Sequence, residues 1–134
     1  MDEQRFDVRF HPEAFKEYQK LDNSSALLVD KALEELEVRA DEVGKNLGNL
    51  KDTKLAGCKE IKFRSAGIRI IFRITDEFVD VLRIVIILAI ERRSKDMVFK
   101  LAHDRLSKMK KIPESQLAES IEKAKKRHRD NRKK

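Results

Sequence analysis

The sequence has 134 residues, a length that favours one domain with a core of its own. Charged residues make up 41% of the chain and apolar residues 40%, so a wholly disordered protein is excluded. The formal net charge is +7, and the single cysteine, Cys58, excludes an intrachain disulfide framework and a zinc site of four cysteines. The most apolar run, Ile84–Ile90, is too short to span a bilayer, and Met1–Arg5 shows no apolar signal stretch. We therefore expect a cytoplasmic protein without a membrane partner.

The positive charge is concentrated towards the C-terminus. Residues 1–90 carry 15 basic and 17 acidic side chains, whereas residues 91–134 carry 16 basic and 7 acidic ones. Such a basic segment favours a polyanionic partner, most often nucleic acid, because its binding releases counterions. The alternative for Lys123–Lys134, with eight basic side chains and one acidic, is a solvated tail that only aids solubility.

The first third of the chain predicts a strand followed by two helices. Phe6–Phe10 alternates apolar and polar residues, which is typical of a strand. Pro12 suits an early position of the first helix, and Asp22–Ser25 offers caps for the second. The apolar residues with helical spacing are Ala14, Phe15, Tyr18 and Leu21 in the first helix and Leu28, Ala32, Leu33, Leu36 and Val43 in the second. Gly44 and Gly48 mark the end of the second helix and a loop.

The middle third predicts an antiparallel hairpin and a central strand. Cys58–Ser65 alternates apolar and charged residues, and Ala66–Gly67 is a plausible two-residue turn into a second alternating strand. Asp76–Glu77 predicts the next turn. The long β-branched run Val79–Ile90 is then best explained as a central strand that is buried on both faces.

The last third predicts helices. The block Glu91–Asp96 ends the central strand, and a helix follows whose inward residues are Val98, Leu101, Ala102 and Leu106. Pro113 separates that helix from a polar one that starts near Glu114. The fold class is therefore α+β, with an N-terminal helical hairpin packed on a small antiparallel sheet and helices at the C-terminus. Residues 1–107 form the predicted domain, and residues 108–134 form a basic helical extension or tail.

One face of the predicted hairpin carries most of its charge. With a two-residue turn, Arg64 lies opposite Arg69 and Glu60 lies opposite Arg73, while Lys62 sits between the two pairs. Glu60 and Arg73 can form an ion pair, but like charges directly opposite each other are destabilising. Such a cluster favours an anion, and arginine binds a phosphodiester well. The alternative is a charged sheet edge that only prevents aggregation.

The stretch Cys58–Phe72 resembles the central hairpin of the RelE/ParE toxin superfamily. The matching pattern consists of Lys62, Ser65, Gly67 and Arg69, followed by two apolar residues and an aromatic one. The order of predicted elements is similar as well, and Ile90–Arg93 resembles the basic end of the family's last strand. The resemblance covers roughly residues 5 to 107 and is strongest to RelE-like members of type II toxin–antitoxin systems.

The resemblance implies a function and partners. RelE-like toxins cleave mRNA in the ribosomal A site through attack of a ribose 2′-OH on the adjacent phosphate, without a metal or cofactor. The expected partners are a cognate antitoxin, the ribosome and mRNA, with operator DNA reached only through the antitoxin. Two alternatives stay open: a ParE-like inhibitor of DNA gyrase without nuclease activity, and a non-catalytic nucleic-acid-binding module that uses the basic tail.

The resemblance also implies roles for individual residues. Lys62 matches a lysine near the nucleophile, Arg69 an arginine that stabilises phosphate charge, and Arg93 a basic residue that donates to the leaving group or clamps the phosphate. These three are the expected catalytic residues. The residues expected to bind substrate are Arg64, Arg92 and Phe99.

Two positions depart from the RelE-like pattern. Glu60 stands where RelE-like members often have a second lysine. Its carboxylate either acts as a base or, as we favour, only pairs with Arg73. Phe99 stands where a tyrosine is common; its ring can stack on a base but offers no hydroxyl. Both departures favour the alternatives without nuclease activity. The histidines show no metal spacing, and His103 is the one expected nearest to the site.

Overall fold

The computed structural model describes residues 3–49, 53–92 and 94–109, together with the backbone of residues 118–120. Its elements, in chain order, are β1 (Phe6–Phe10), α1 (Pro12–Gln19), α2 (Asn23–Arg39), β2 (Lys45–Asn46), β3 (Cys58–Phe63), β4 (Ile68–Val79), β5 (Leu82–Glu91), α3 (Lys95–Lys108) and β6 (Ala118–Ser120). The strands form one sheet in the order β2-β3-β4-β5-β1-β6. The predicted α+β class is therefore confirmed.

The sheet is mixed rather than wholly antiparallel. Strands β3 to β5 pair in antiparallel fashion, as predicted, and the short β2, which lies where the sequence predicts a loop, pairs antiparallel with β3. Strand β1 lies parallel to β5. The alternation within Phe6–Phe10 shows which residues face the core but carries no information on strand direction. That direction follows from the path of the chain through α1 and α2, and only the structure reveals it.

The two faces of the sheet carry different helices. One face packs against α1 and α2 through residues such as Val8, Phe72 and Leu33. The other face packs against α3 through Ile71, Ile86, Leu88, Val98 and Ala102. Because β5 lies between β4 and β1 and contributes to both layers, Ile84–Ile90 is buried on both faces, as predicted. The first part of the predicted run, Val79–Arg83, is exposed or half-buried, and β5 begins only at Leu82.

Side-chain caps fix where the first two helices begin. The Nδ1 atom of His11 accepts a hydrogen bond from the Glu13 N–H at 3.1 Å, with Pro12 as the first helical residue. Asp22 accepts a hydrogen bond from the Ser25 N–H at 2.8 Å at the start of α2. Both starts agree with the sequence analysis.

The second helix ends earlier than its pattern predicts. It stops at Arg39, so that Val43 lies in the following turn. At Gly44 φ is +82°, and a Cβ atom there would lie 2.9 Å from the carbonyl oxygen of Glu60. Only glycine allows the chain to turn this closely over β3 and enter β2.

The β4–β5 turn also differs from the prediction. Strand β4 continues through Asp76–Glu77 to Val79, and the turn is made by Asp80 and Val81, with φ of +55° at Asp80. Polar residues indicated a turn at Asp76–Glu77, but this end of the hairpin is solvent-exposed, and a strand there can carry polar side chains.

Beyond Met109, the structure describes the C-terminal extension only at β6. Its backbone pairs antiparallel with β1, with Arg9 opposite Ser120 and Phe10 opposite Ala118. The helix predicted from Glu114 is therefore wrong at residues 118–120, and the rest of that prediction lies outside the described residues. None of the helices in the described part of the chain has the length and apolar composition of a membrane-spanning segment.

Candidate phosphate-binding cleft

The hairpin of β3 and β4 places two of the predicted catalytic side chains together. Lys62 lies directly opposite Arg69, and Glu60 lies opposite Ile71. The turn contains the four residues Arg64–Gly67 instead of the predicted two, so the predicted register is wrong by two residues. Because side chains alternate with a period of two, this shift leaves each charged residue on its predicted face.

Glu60 forms its ion pair with Arg69 and not with Arg73, which corrects the sequence prediction. The Nη1 atom of Arg69 donates to a Glu60 carboxylate oxygen at 3.0 Å, and the two side chains are only 14% and 9% exposed. Arg73 instead donates to the carbonyl oxygen of Ala56 at 3.2 Å. Glu60 thus offsets the repulsion between Arg69 and Lys62, which face each other across the hairpin.

A cleft of about 500 Å³ lies over this end of the hairpin, beside the start of α3. Its lining residues are Lys45, Asn46, Leu47, Gly48, Glu60, Lys62, Arg64, Arg69, Lys95 and Phe99. Five of these side chains are cationic and one is a carboxylate. Within the described part of the chain, only Arg69 among the five cations has an ion-pair partner. The cleft therefore has an unbalanced positive charge that favours a phosphate ligand.

Phe99 contributes to the wall of this cleft but is not open to it. Its side chain packs among the apolar residues between α3 and the sheet and is only 4% exposed. The Lys95 ammonium lies 5.5 Å from the centroid of its ring, within the range of a cation–π interaction. In this conformation the ring has little surface on which a base could stack, contrary to the sequence expectation.

Arg92 lies away from the cleft, which corrects its grouping with Lys62 and Arg69. Its guanidinium donates to the Ser25 hydroxyl and to Asp22 at 3.5 Å, at the start of α2. Hydrogen bonds from Ser25, with a smaller contribution from Arg92, lower the pKa of Asp22 to about 2. Arg93, the third predicted catalytic residue, lies outside the described residues.

A second cleft, of about 550 Å³, borders Arg92 and contains an ion pair that the sequence analysis missed. Arg105 on α3 donates two hydrogen bonds of 2.8 Å to Glu17 on α1, which also accepts from the Ile90 N–H at 3.0 Å. Burial alone would raise the pKa of Glu17, but hydrogen bonds from Arg105 and its other donors outweigh burial and lower it. This pair ties α1, β5 and α3 together. Because Glu17 already compensates the charge of Arg105, the guanidinium has little remaining attraction for an anion.

The remaining titratable candidates have structural partners. The Nδ1 atom of His103 accepts a hydrogen bond from the Lys54 N–H at 2.9 Å. This bond holds the loop between β2 and β3 against α3. Burial raises the pKa of the Cys58 thiol, which disfavours its reactive thiolate form. Among the described residues, no group of three histidine, cysteine or acidic side chains could hold a metal ion.

Comparisons with known proteins agree with this architecture. A curated Escherichia coli relative, described as a RelE-like toxin protein, is 29% identical over 102 residues, which are 76% of this chain and 98% of the relative. The solved structure of a free double mutant of the E. coli toxin RelE has a TM-score of 0.58 and 23% identity, covering 78% of this chain and 99% of that one. That likeness shows the fold.

A further solved structure is that of the E. coli RelE double mutant in complex with an antitoxin RelB peptide. It is 30% identical, covers 72% of this chain and 93% of that one, and has a TM-score of 0.46. No protein-family model matches the chain.

Proposed function

We propose that this protein, which belongs to the RelE-like toxins of the RelE/ParE superfamily, is an mRNA endoribonuclease that acts on the ribosome without a metal ion. The observation that carries the proposal is the cleft in which Lys62 and Arg69 face each other beside three further cations. A cognate antitoxin is the expected partner in the cytoplasm, and its acidic residues would be attracted to the same surface.

The proposed reaction is a transesterification within the RNA strand. The 2′ oxygen of a ribose bonds to the adjacent phosphorus, the bond from phosphorus to the 5′ oxygen breaks, and a 2′,3′-cyclic phosphate results. A base must take the 2′ proton, a donor must protonate the leaving oxygen, and positive charge must stabilise the pentavalent phosphate. We assign Lys62 to the neighbourhood of the nucleophile, Arg69 to the phosphate and, from the family resemblance, Arg93 to the leaving group.

The ion pair with Glu60 leaves Arg69 able to bind a phosphate. Glu60 engages only the Nη1 atom, and Nε and Nη2 make no hydrogen bond to the described residues. Since a guanidinium has five N–H donors in a fixed plane, the remaining edge can donate to two phosphate oxygens. Glu60 is thereby a positioning residue for Arg69, and its engagement by that guanidinium disfavours the alternative role as the base that takes the 2′ proton.

The test compares two arginines on one strand and one sheet face. Arg69 lies in the cleft, whereas Arg73 donates to the Ala56 carbonyl oxygen outside the cleft lining. Each would be replaced by alanine, and cleavage of mRNA on programmed ribosomes would be followed by primer extension. We expect Arg69→Ala to lower the cleavage rate about 100-fold or more, as for loss of one charge-stabilising donor, with little effect of Arg73→Ala. Equal rates for wild type and Arg69→Ala, or no cut by wild type, would refute the proposal.

A ParE-like inhibitor of DNA gyrase is the second candidate. The observations that favour it are the carboxylate of Glu60 and the buried, hydroxyl-free ring of Phe99 at positions where RelE-like nucleases commonly have lysine and tyrosine. A supercoiling assay with purified gyrase separates the two functions. Inhibition by this protein, together with intact mRNA on ribosomes, would favour the second candidate.

A further inference from the structure

The cleft contains more positive charge than one phosphate can neutralise. Its five cationic side chains and one carboxylate leave a formal surplus of four charges, whereas a phosphodiester carries one negative charge. A volume of about 500 Å³ is also in the range of sites for ligands much larger than a phosphate ion. The cleft is therefore suited to a longer stretch of polyanion.

Two of the surplus cations come from outside the hairpin that holds Lys62 and Arg69. Lys45 belongs to β2 and lies directly opposite Glu60. Glu60 is paired with Arg69, and Lys45 forms no ion pair with it. Residues directly opposite each other on neighbouring strands project to the same side of the sheet, so Lys45 extends the cationic face beyond β3.

Lys95 supplies charge to the cleft from α3. It is the first residue of α3, it is exposed, and its ammonium lies over the ring of Phe99. The ring thereby orients a side chain that otherwise has many rotamers. Neither Lys45 nor Lys95 has a carboxylate partner among the residues that the structure describes.

We propose that Lys45 and Lys95 bind the backbone phosphates that flank the reacting one, so that the cleft holds at least three consecutive phosphates of a single RNA strand. The inference rests on the proposed function, since it takes Lys62 and Arg69 as the place of the reacting phosphate. Lysine suits these positions because a point charge on a flexible stem follows a backbone without demanding a fixed geometry. The two lysines thus determine how the strand is positioned.

The test measures the salt dependence of RNA binding by the full-length protein. The probe is a fluorescein-labelled 2′-O-methyl oligouridylate, which cannot undergo attack by a 2′-OH. The variant Lys45→Gln/Lys95→Gln is compared with Lys31→Gln/Lys100→Gln, a control that removes two exposed lysines outside the cleft lining. Fluorescence anisotropy gives the dissociation constant at several salt concentrations.

The expected result is a change in slope. A contact with one phosphate of a single strand contributes about 0.7 to the slope of log K against log salt, so loss of both lysines lowers its magnitude by about 1.4. The wild type also gains affinity when the probe is lengthened from a dinucleotide to a tetranucleotide, and the Lys45→Gln/Lys95→Gln variant gains less. Circular dichroism checks that all variants are folded.

Three outcomes would overturn the inference: no binding by wild type at low salt, an unchanged slope in Lys45→Gln/Lys95→Gln, or an equal change in the control. The proposed function has a separate readout, which is cleavage on the ribosome. If the slope changes as expected but wild type cuts no mRNA, the flanking-phosphate sites stand and the nuclease assignment fails. If wild type cuts mRNA and the slope is unchanged, the nuclease stands and these two sites do not.

Discussion

Replacing Glu60 with alanine tests how Arg69 is held in the cleft. The Glu60 side chain is only 9% exposed, and it accepts a hydrogen bond of 3.0 Å from Arg69, which is 14% exposed. Directly opposite Arg69 lies Lys62. Glu60→Ala therefore leaves a largely buried guanidinium without its carboxylate and next to a like charge.

The size of the effect follows from this burial. Removing one partner of a buried ion pair costs about 3–5 kcal/mol, because the other charge stays desolvated. Arg69 keeps some contact with solvent in the cleft, so we expect the lower end, about 3 kcal/mol, in the free energy of unfolding. For a domain of this size, that loss corresponds to a fall of about 10 °C in Tm.

The assay is urea unfolding of Glu60→Ala, Arg69→Ala and the double variant, which together form a double-mutant cycle. We expect a coupling of about 1.5–3 kcal/mol between the two sites, and a double variant less destabilised than the sum of the single ones. The control is Glu35→Ala, which breaks an ion pair with Arg39 whose side chains are 54% and 40% exposed. Its effect should stay within about 0.5 kcal/mol, as for surface pairs.

Additive effects in the cycle would refute this reasoning. So would a Glu60→Ala variant as stable as the Glu35→Ala control. Either result would mean that the carboxylate does not hold Arg69, and that the position of the guanidinium depends on other contacts.

Three further predictions concern other parts of the molecule. Arg105→Ala should destabilise the protein by about 3 kcal/mol in urea unfolding, since Glu17 would stay buried without its partner; a loss below about 1 kcal/mol would contradict this. Burial and the nearby Arg105 lower the pKa of His11 from its ordinary value of 6.5. As the pH falls, the unfolded chain therefore takes up a proton at this histidine before the folded protein does. The free energy of unfolding should accordingly fall as the pH drops below 6.5. His11→Asn, which keeps an acceptor for the Glu13 N–H, should flatten this pH dependence; an equally steep curve would show that another group titrates. A chain truncated after Met109 should still cleave mRNA on ribosomes. A wild type that cuts no mRNA, together with a truncated chain that no longer binds RNA, would instead favour the nucleic-acid-binding module that depends on the tail.

The sequence was sufficient to predict which face of the hairpin is charged. Alternation alone puts Lys62 and Arg69 on one side, and this holds for any turn that shifts the register by an even number of residues. The partner of Glu60 was not predictable in the same way. A two-residue turn would put Arg73 directly opposite Glu60, whereas the four-residue turn puts Ile71 there and brings Arg69 within diagonal reach. The sequence Arg64–Gly67 is compatible with both lengths.

Contacts between distant elements were not accessible to pattern analysis. Arg92 directly precedes Arg93 in a basic block, but the structure places its side chain at the start of α2. Lys45 reaches the cleft through a strand of only two residues, which has no periodic signal. Lys95 and Phe99 do share one helix face at a spacing of four residues, and that spacing is the one signal that could have drawn attention to Lys95.

The most direct test of the central claim removes the proposed nucleophile from the substrate. An mRNA with a single 2′-deoxy nucleotide on the 5′ side of the cut position would be presented in the ribosomal A site. The account predicts that wild-type protein cuts the all-ribose mRNA to leave a 2′,3′-cyclic phosphate and leaves the 2′-deoxy mRNA intact at that position. Equal cutting of both mRNAs at that position would contradict it.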